Sequence, residues 1–123
     1  MRSIFIAVLI FIFMPSIVFA SSMSDMFGFW ISEIALPSTG KKEVLIINQD
    51  SFQEGKQPPI ECEFHKDDGD IIIDFTGPFG VKLKYIVTIK DKKLFLDFPS
   101  AVGGRSQRSY TRINEEEARQ YLK

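Results

Sequence analysis

The chain has 123 residues, 15 basic and 16 acidic side chains, one histidine and one cysteine, and 45% of it is hydrophobic. That length suits one compact domain, and the charge balance excludes a general nucleic-acid binder, which needs a concentrated basic footprint. A lone cysteine excludes an intramolecular disulfide.

Residues 1–20 read as a cleaved signal peptide. Met1-Arg2 supplies a positive start, Ile4 to Met14 is an unbroken apolar run, Pro15-Ser16 breaks it, and Val18-Phe19-Ala20 sets a small residue before Ser21. Eleven apolar residues are too few for a spanning helix, which needs about 20. No cysteine follows the cleavage point to carry a lipid. The expected product is one domain, 21–123, in the bacterial periplasm or secreted, with no stable membrane insertion. Arg2 leaves with the leader, so 14 basic residues then face 16 acidic ones.

Past the leader, short alternating runs separated by turn signals point to an all-β domain. Candidate strands are 27–36, 43–48, 51–55, 60–66, 70–76, 81–90, 94–98 and 107–113, with 51–55 the weakest. In 81–90 the odd positions are apolar and the even ones mostly polar, so one face is buried and the other wet. Ile71-Ile72-Ile73 is apolar on both faces, which implies cover on its outer side too. Asn114 is a good N-cap and three glutamates follow it, which predicts a short helix over about 115–122. The expected core is Trp30, Ile60, Cys62, Phe64, Ile71, Ile73, Phe75, Val81, Leu83, Tyr85, Val87, Leu94, Leu96 and Phe98. Cys62 is read as a core thiol, disfavoured as a thiolate by Glu61 and Glu63.

In an up-and-down meander, successive connections alternate between the two ends. One end receives the longer segments 37–42, 56–59, 77–80 and 99–106, all holding Pro or Gly. The other receives the tight turns Gln49-Asp50, Asp67-Asp68-Gly69 and Asp91-Lys92-Lys93. Charge sorts in the same way, with Lys41, Lys42, Lys56 and Arg105 at the long-loop end and Asp50, Asp67, Asp68 and Asp91 opposite. Pairing first strand with last closes such a sheet and removes its edges. The expected architecture is a small antiparallel up-and-down barrel, or strongly bent sheet, of seven to eight strands with a short C-terminal helix. With so many inward Phe, Leu and Ile, its interior is expected to be filled.

Closure places Gly28-Phe29-Trp30 beside Tyr110-Thr111-Arg112, where a guanidinium over the indole makes a favourable cation–π pair. A Gly-x-Trp in the first strand, an arginine near the end of the last, a meander and a trailing helix resemble the lipocalin–calycin group and the small lipocalin-like exported proteins of bacteria. The motif rests on Gly28, Trp30 and Arg112, while the topology spans most of 27–123. The resemblance implies structural roles for those three residues and a binding function.

The remaining candidates divide into surface and site. Asp67-Asp68-Gly69-Asp70 lacks the alternating spacing of a calcium loop and reads as an Asp-Gly hairpin. His65 reads as a surface side chain. Lys82, Lys84, Lys90, Lys92 and Lys93 read as a solvated strand face, with contact to anionic lipid or glycan as the alternative. Phe79, between Pro78 and Gly80, is either an exposed anchor or a plug folded into the barrel. Gly103-Gly104-Arg105 reads as a flexible loop with a charge at its tip. No metal set, cofactor motif or catalytic constellation is evident, so a non-catalytic module is expected, monomeric, taking a small apolar or anionic ligand or a protein partner. Its binding residues at the long-loop end are Phe79, Arg105, Lys41, Lys42 and Lys56. The alternative is a protein–protein inhibitor or immunity protein acting on an exported or cell-wall-active enzyme.

Overall fold

A computed structural model describes residues 23–100 and 102–123; the expected leader, 1–20, lies outside the described residues. Among these, nine antiparallel strands form one nearly closed sheet: β1 Gly28–Ser32, β2 Val44–Ile47, β3 Ser51–Glu54, β4 Ile60–Glu61, β5 Glu63–Asp67, β6 Asp70–Thr76, β7 Lys82–Lys90, β8 Lys93–Pro99 and β9 Arg105–Ile113. A helix, α1, follows at Glu115–Tyr121. The spatial order is β4-β3-β2-β1-β9-β8-β7-β6-β5. First and last strands pair, with Trp30 opposite Arg112, so the all-β meander expected from the alternation is the fold.

The count exceeds the expected seven to eight because one extended segment, 60–67, works as two strands. Ile60 faces Phe52 on β3, whereas Phe64 faces Ile73 on β6. Between them the Cys62 amide donates to the Asp50 carbonyl at 3.0 Å. The chain thus changes partner at Cys62, and a single bent segment nearly closes the barrel. The doubtful 51–55 is a genuine strand, β3, with Phe52 in register with Ile47 and buried.

Trp30, Leu45, Ile47, Phe52, Ile71, Ile73, Val87, Leu94, Leu96 and Tyr110 fill the interior. Three expectations need correction. Val81 is 52% exposed, because the Gly77 amide closes a turn onto the Val81 carbonyl at 2.7 Å and the ladder begins only at Lys82. Cys62 is half-buried at the wall seam, at the margin of the core. Ile60, Phe64, Leu83, Tyr85 and Phe98 are likewise marginal. Met26, Leu45, Ile47, Phe52 and Tyr110 complete the interior set.

A second, smaller core lies outside the barrel, where Ile31, Val44 and Ala118 are buried together with Phe29, Ile46 and Leu122 packed around them. This explains why β1 and β2 are apolar on both faces: α1 lies against the outer one. Asn114 caps α1 reciprocally, accepting from the Glu117 amide at 2.8 Å while Glu117 reaches back to the Asn114 amide. The turns at the opposite end are tight. Asp68 (φ 54°) and Gly69 (φ 90°) join paired Asp67 and Asp70, as a type I′ hairpin requires. Asp91 (φ 53°) and Lys92 (φ 65°) make the same shape with no glycine.

Candidate functional site

The tight-turn end is plugged. A 3-10 turn at Met23–Met26 crosses it, and the Trp30 indole N–H donates to the Met26 carbonyl at 2.9 Å. The Arg112 guanidinium lies 4.2 Å from the indole ring centre. It also donates to the Phe27 carbonyl at 2.8 Å and to the Asp25 carbonyl. Gly28 sits at φ +126°, and a Cβ there would come within 2.7 Å of Arg112 Nη1. Glycine is therefore a steric need, and Gly28, Trp30 and Arg112 form one structural device that joins the turn to β1 and β9.

The long-loop end is the mouth, and its interior is polar. Inward positions of β3, β7 and β9 bring Glu54, Tyr85, Arg108 and Tyr110 together with Glu43 at the start of β2. The Tyr85 hydroxyl donates to Glu54 Oε1 at 3.1 Å. Arg108 Nη1 donates to the Tyr110 hydroxyl at 3.3 Å and reaches Glu43 Oε1 at 3.5 Å, and its guanidinium lies 4.9 Å from the Phe98 ring centre.

Burial and neighbouring charges shift Glu43, Tyr85, Arg108 and Tyr110. Burial raises the Glu43 carboxyl above its ordinary value; the Glu54 charge adds to the rise and Arg108 opposes it. Burial, against the pull of Arg108, pushes Tyr110 up to about 12. Tyr85 is pushed up as well, by burial and then by the charge and hydrogen bond of Glu54. Burial works against the Arg108 charge, but Tyr110, Glu43 and Glu54 outweigh it and raise its pKa. Arg108 is thus a fixed cation whose link to Glu43 is long.

Two hollows adjoin the mouth. A pocket of about 410 Å³ lies between Ile34–Pro37, which leaves β1, and Phe98, Ser106, Arg108 and Ser109 on β8 and β9. A broader cleft of about 1640 Å³ follows the seam where Cys62 changes partner, lined by the half-buried Ile60 and Leu83 and by charges of both signs. Burial, with help from Asp50 rather than Glu61 or Glu63, pushes the Cys62 thiol in this seam up to about 11, which disfavours its thiolate. Being wide and open, the seam leaves a small molecule largely in water. The mouth pocket has an apolar wall and a half-buried cation, the arrangement a small site needs.

The candidates from sequence are divided by the fold. Phe79 is fully exposed, at φ 63° inside the Gly77–Val81 turn, which overturns the plug alternative. Lys41, Lys42 and Lys56 are exposed on the 33–43 and 55–59 loops. Arg105 is no loop tip: it opens β9, donates to the Asp97 carboxylate, and reaches the Lys84 carbonyl at 3.0 Å. His65 lies on the outer face, 3.1 Å from Asp74. Arg108 was missed, although it shares the inward parity of Tyr110 and Arg112; that shared parity was the available signal. No protein-family model, curated protein or solved structure matches the chain.

Proposed function

We propose that the protein is an exported, non-catalytic binding module of lipocalin-like type that takes a small apolar or anionic ligand at the barrel mouth. The observation that carries this reading is Arg108, a half-buried cation beside Phe98 in a pocket walled by Ile34, Leu36 and Pro37. An apolar body would lie against that wall while an acidic head replaces the long Glu43 contact, since a charge-assisted bond of normal length is stronger than one at 3.5 Å. The filled interior below, with Phe52 and Tyr110 fully buried, restricts the ligand to the rim and the first layer of side chains. The Gly28, Trp30 and Arg112 device and the meander support the lipocalin-like comparison, and the candidate leader supports export.

The test is titration with a fluorescent long-chain fatty acid, beside native mass spectrometry of the protein as purified. Saturable binding that Arg108→Met weakens about tenfold, the order of one charge-assisted contact, supports the reading. A protein that carries no small molecule and ignores the probe contradicts it. The inhibitor or immunity reading draws on the exposed Phe79, and co-purification with a stoichiometric enzyme blocked by this chain would favour it.

A further inference from the structure

We infer that the rim around the mouth is a docking surface for an anionic phospholipid layer, with Phe79, Val81 and Val102 inserting among the headgroups and the rim lysines pairing with phosphates. This goes beyond the pocket and does not rest on it.

The large hydrophobic residues exposed in the described part of the chain are Ile34 (75%), Phe79 (103%), Val81 (52%), Val102 (96%) and Tyr121 (51%). All but Tyr121, which is on α1, stand on the long loops. Those loops carry an excess of positive charge: 33–43, 55–59, 77–81 and 99–105 contain Lys41, Lys42, Lys56 and Arg105, and their two carboxylates are engaged, Glu33 by Lys93 and Glu43 by Arg108. Arg105 is engaged by Asp97; the three lysines have no ion pair among the described residues. Lys82 adds a further exposed charge where β7 leaves the 77–81 turn. Of the carboxylates near the mouth, Glu43 and Glu54 belong to the inward polar group below the rim, and Asp97 is taken up by Arg105. Lys90 and Lys92 lie at the far end of β7, so the lysine-rich strand is two separate groups, of which only Lys82 and Lys84 flank the rim.

The apolar tips share one end. The contact of Arg105 with the Lys84 carbonyl joins the base of the 99–105 loop to the strand that follows Val81. The Ile34–Pro37 segment faces Ser106 and Ser109 across the mouth pocket. Each tip is also held by its own loop. Gly77 bonds to Val81 beneath Phe79, and Ser100 accepts from Gly103 while donating to Gly104 beneath Val102. Phe79 keeps its exposed position at positive φ, a conformation costly for a bulky residue.

The layout selects a lipid layer over a protein. A protein hot spot is a contiguous desolvated patch, whereas here single apolar tips on separate loops stand among lysines. A soft anionic layer takes separated tips individually and rewards each lysine. Among the described residues no helix is long and apolar enough to cross a membrane, and docking of this kind needs none.

Co-sedimentation of the chain beginning at Ser21, which contains every described element, tests the inference with vesicles containing phosphatidylglycerol and vesicles of phosphatidylcholine alone. Binding is expected on the anionic vesicles at low salt, falling as salt rises. Phe79→Ser combined with Val102→Ser should weaken it about tenfold or more, and Lys41→Gln and Lys42→Gln roughly fivefold each. Circular dichroism and melting of these exposed-site variants should match the parent. Arg108→Met should leave vesicle binding intact, and Phe79→Ser should leave fatty-acid binding intact, which separates this inference from the pocket. Failure to sediment with anionic vesicles, equal binding to neutral ones, or loss only on changing Lys90 and Lys92 overturns it. So does a concentration-dependent dimer that needs Phe79 and binds no vesicle, which assigns the rim to a second copy.

Discussion

At the plugged end, Met26, Trp30 and Arg112 form a connected set: the indole N–H donates to the Met26 carbonyl, the guanidinium lies over the ring, and the indole is 1% exposed. At the mouth, Arg108 reaches Glu43 only at 3.5 Å, two carboxylates face one guanidinium, and Phe79 and Val102 stand fully in water. The same strands run through both ends, so the contrast does not come from secondary structure. It comes from the connections: two-residue turns bring strand ends together and leave no chain to carry anything else, while the longer loops diverge and present side chains outward. One end holds the fold in register, and the other presents the side chains to which the proposed binding is assigned.

The contrast breaks most visibly at Trp30. Trp30→Ala should cost about 3–5 kcal/mol, the range for a buried large aromatic, and urea denaturation would show it; an unchanged midpoint would remove the indole from its central place. Gly28→Ala comes next. A methyl at φ +126° against Arg112 should cost about 1–3 kcal/mol through backbone strain and displacement of the guanidinium, measurable in the same assay.

A smaller effect of opposite sign is expected at the hairpin of Asp91 and Lys92. Lys92→Gly should stabilise by about 1 kcal/mol, because a type I′ turn places this residue at φ 65°. At the mouth, Glu43 sharpens the comparison by pH. Its folded pKa lies above the ordinary 4.5, so the folded state holds this proton more tightly than the unfolded one. Its contribution is complete below 4.5 and is lost as pH rises through the folded value. Titration of stability should show that decline, and Glu43→Gln should remove it. Phe79→Ser should shift stability least, within about 0.5 kcal/mol, although it is a large aromatic like Trp30.

The legibility of the sequence follows the same division. Alternation in 81–90 placed β7 and its inward Leu83, Tyr85 and Val87 because apolar and polar residues there map onto inner and outer faces. The pairing of Trp30 with Arg112 followed from topology alone. Phe52 was harder: Ser51–Glu54 contains a single apolar residue, so no period is visible, and its burial depends on contact with Phe75 and Tyr85 from distant strands. The break at Cys62 was hidden for a related reason, since a hydrogen bond to the Asp50 carbonyl has no local signature. Glu43, Glu54 and Arg108 escaped notice because a charged side chain on a strand is ordinarily outward. Near a barrel mouth that rule weakens, as inward charges can pair with one another and still reach water.

Amide hydrogen exchange with and without a saturating long-chain fatty acid tests the division of labour most directly. In the free protein, amides of Trp30, Leu45 and Tyr110 should exchange near the rate of global unfolding, and those of 34–42, 77–81 and 99–105 much faster. Added ligand should protect 34–37 and 105–109 around the mouth pocket and leave the turns at 49–50, 67–70 and 91–93 unchanged. Protection centred on those turns, with the mouth unaffected, would contradict the account.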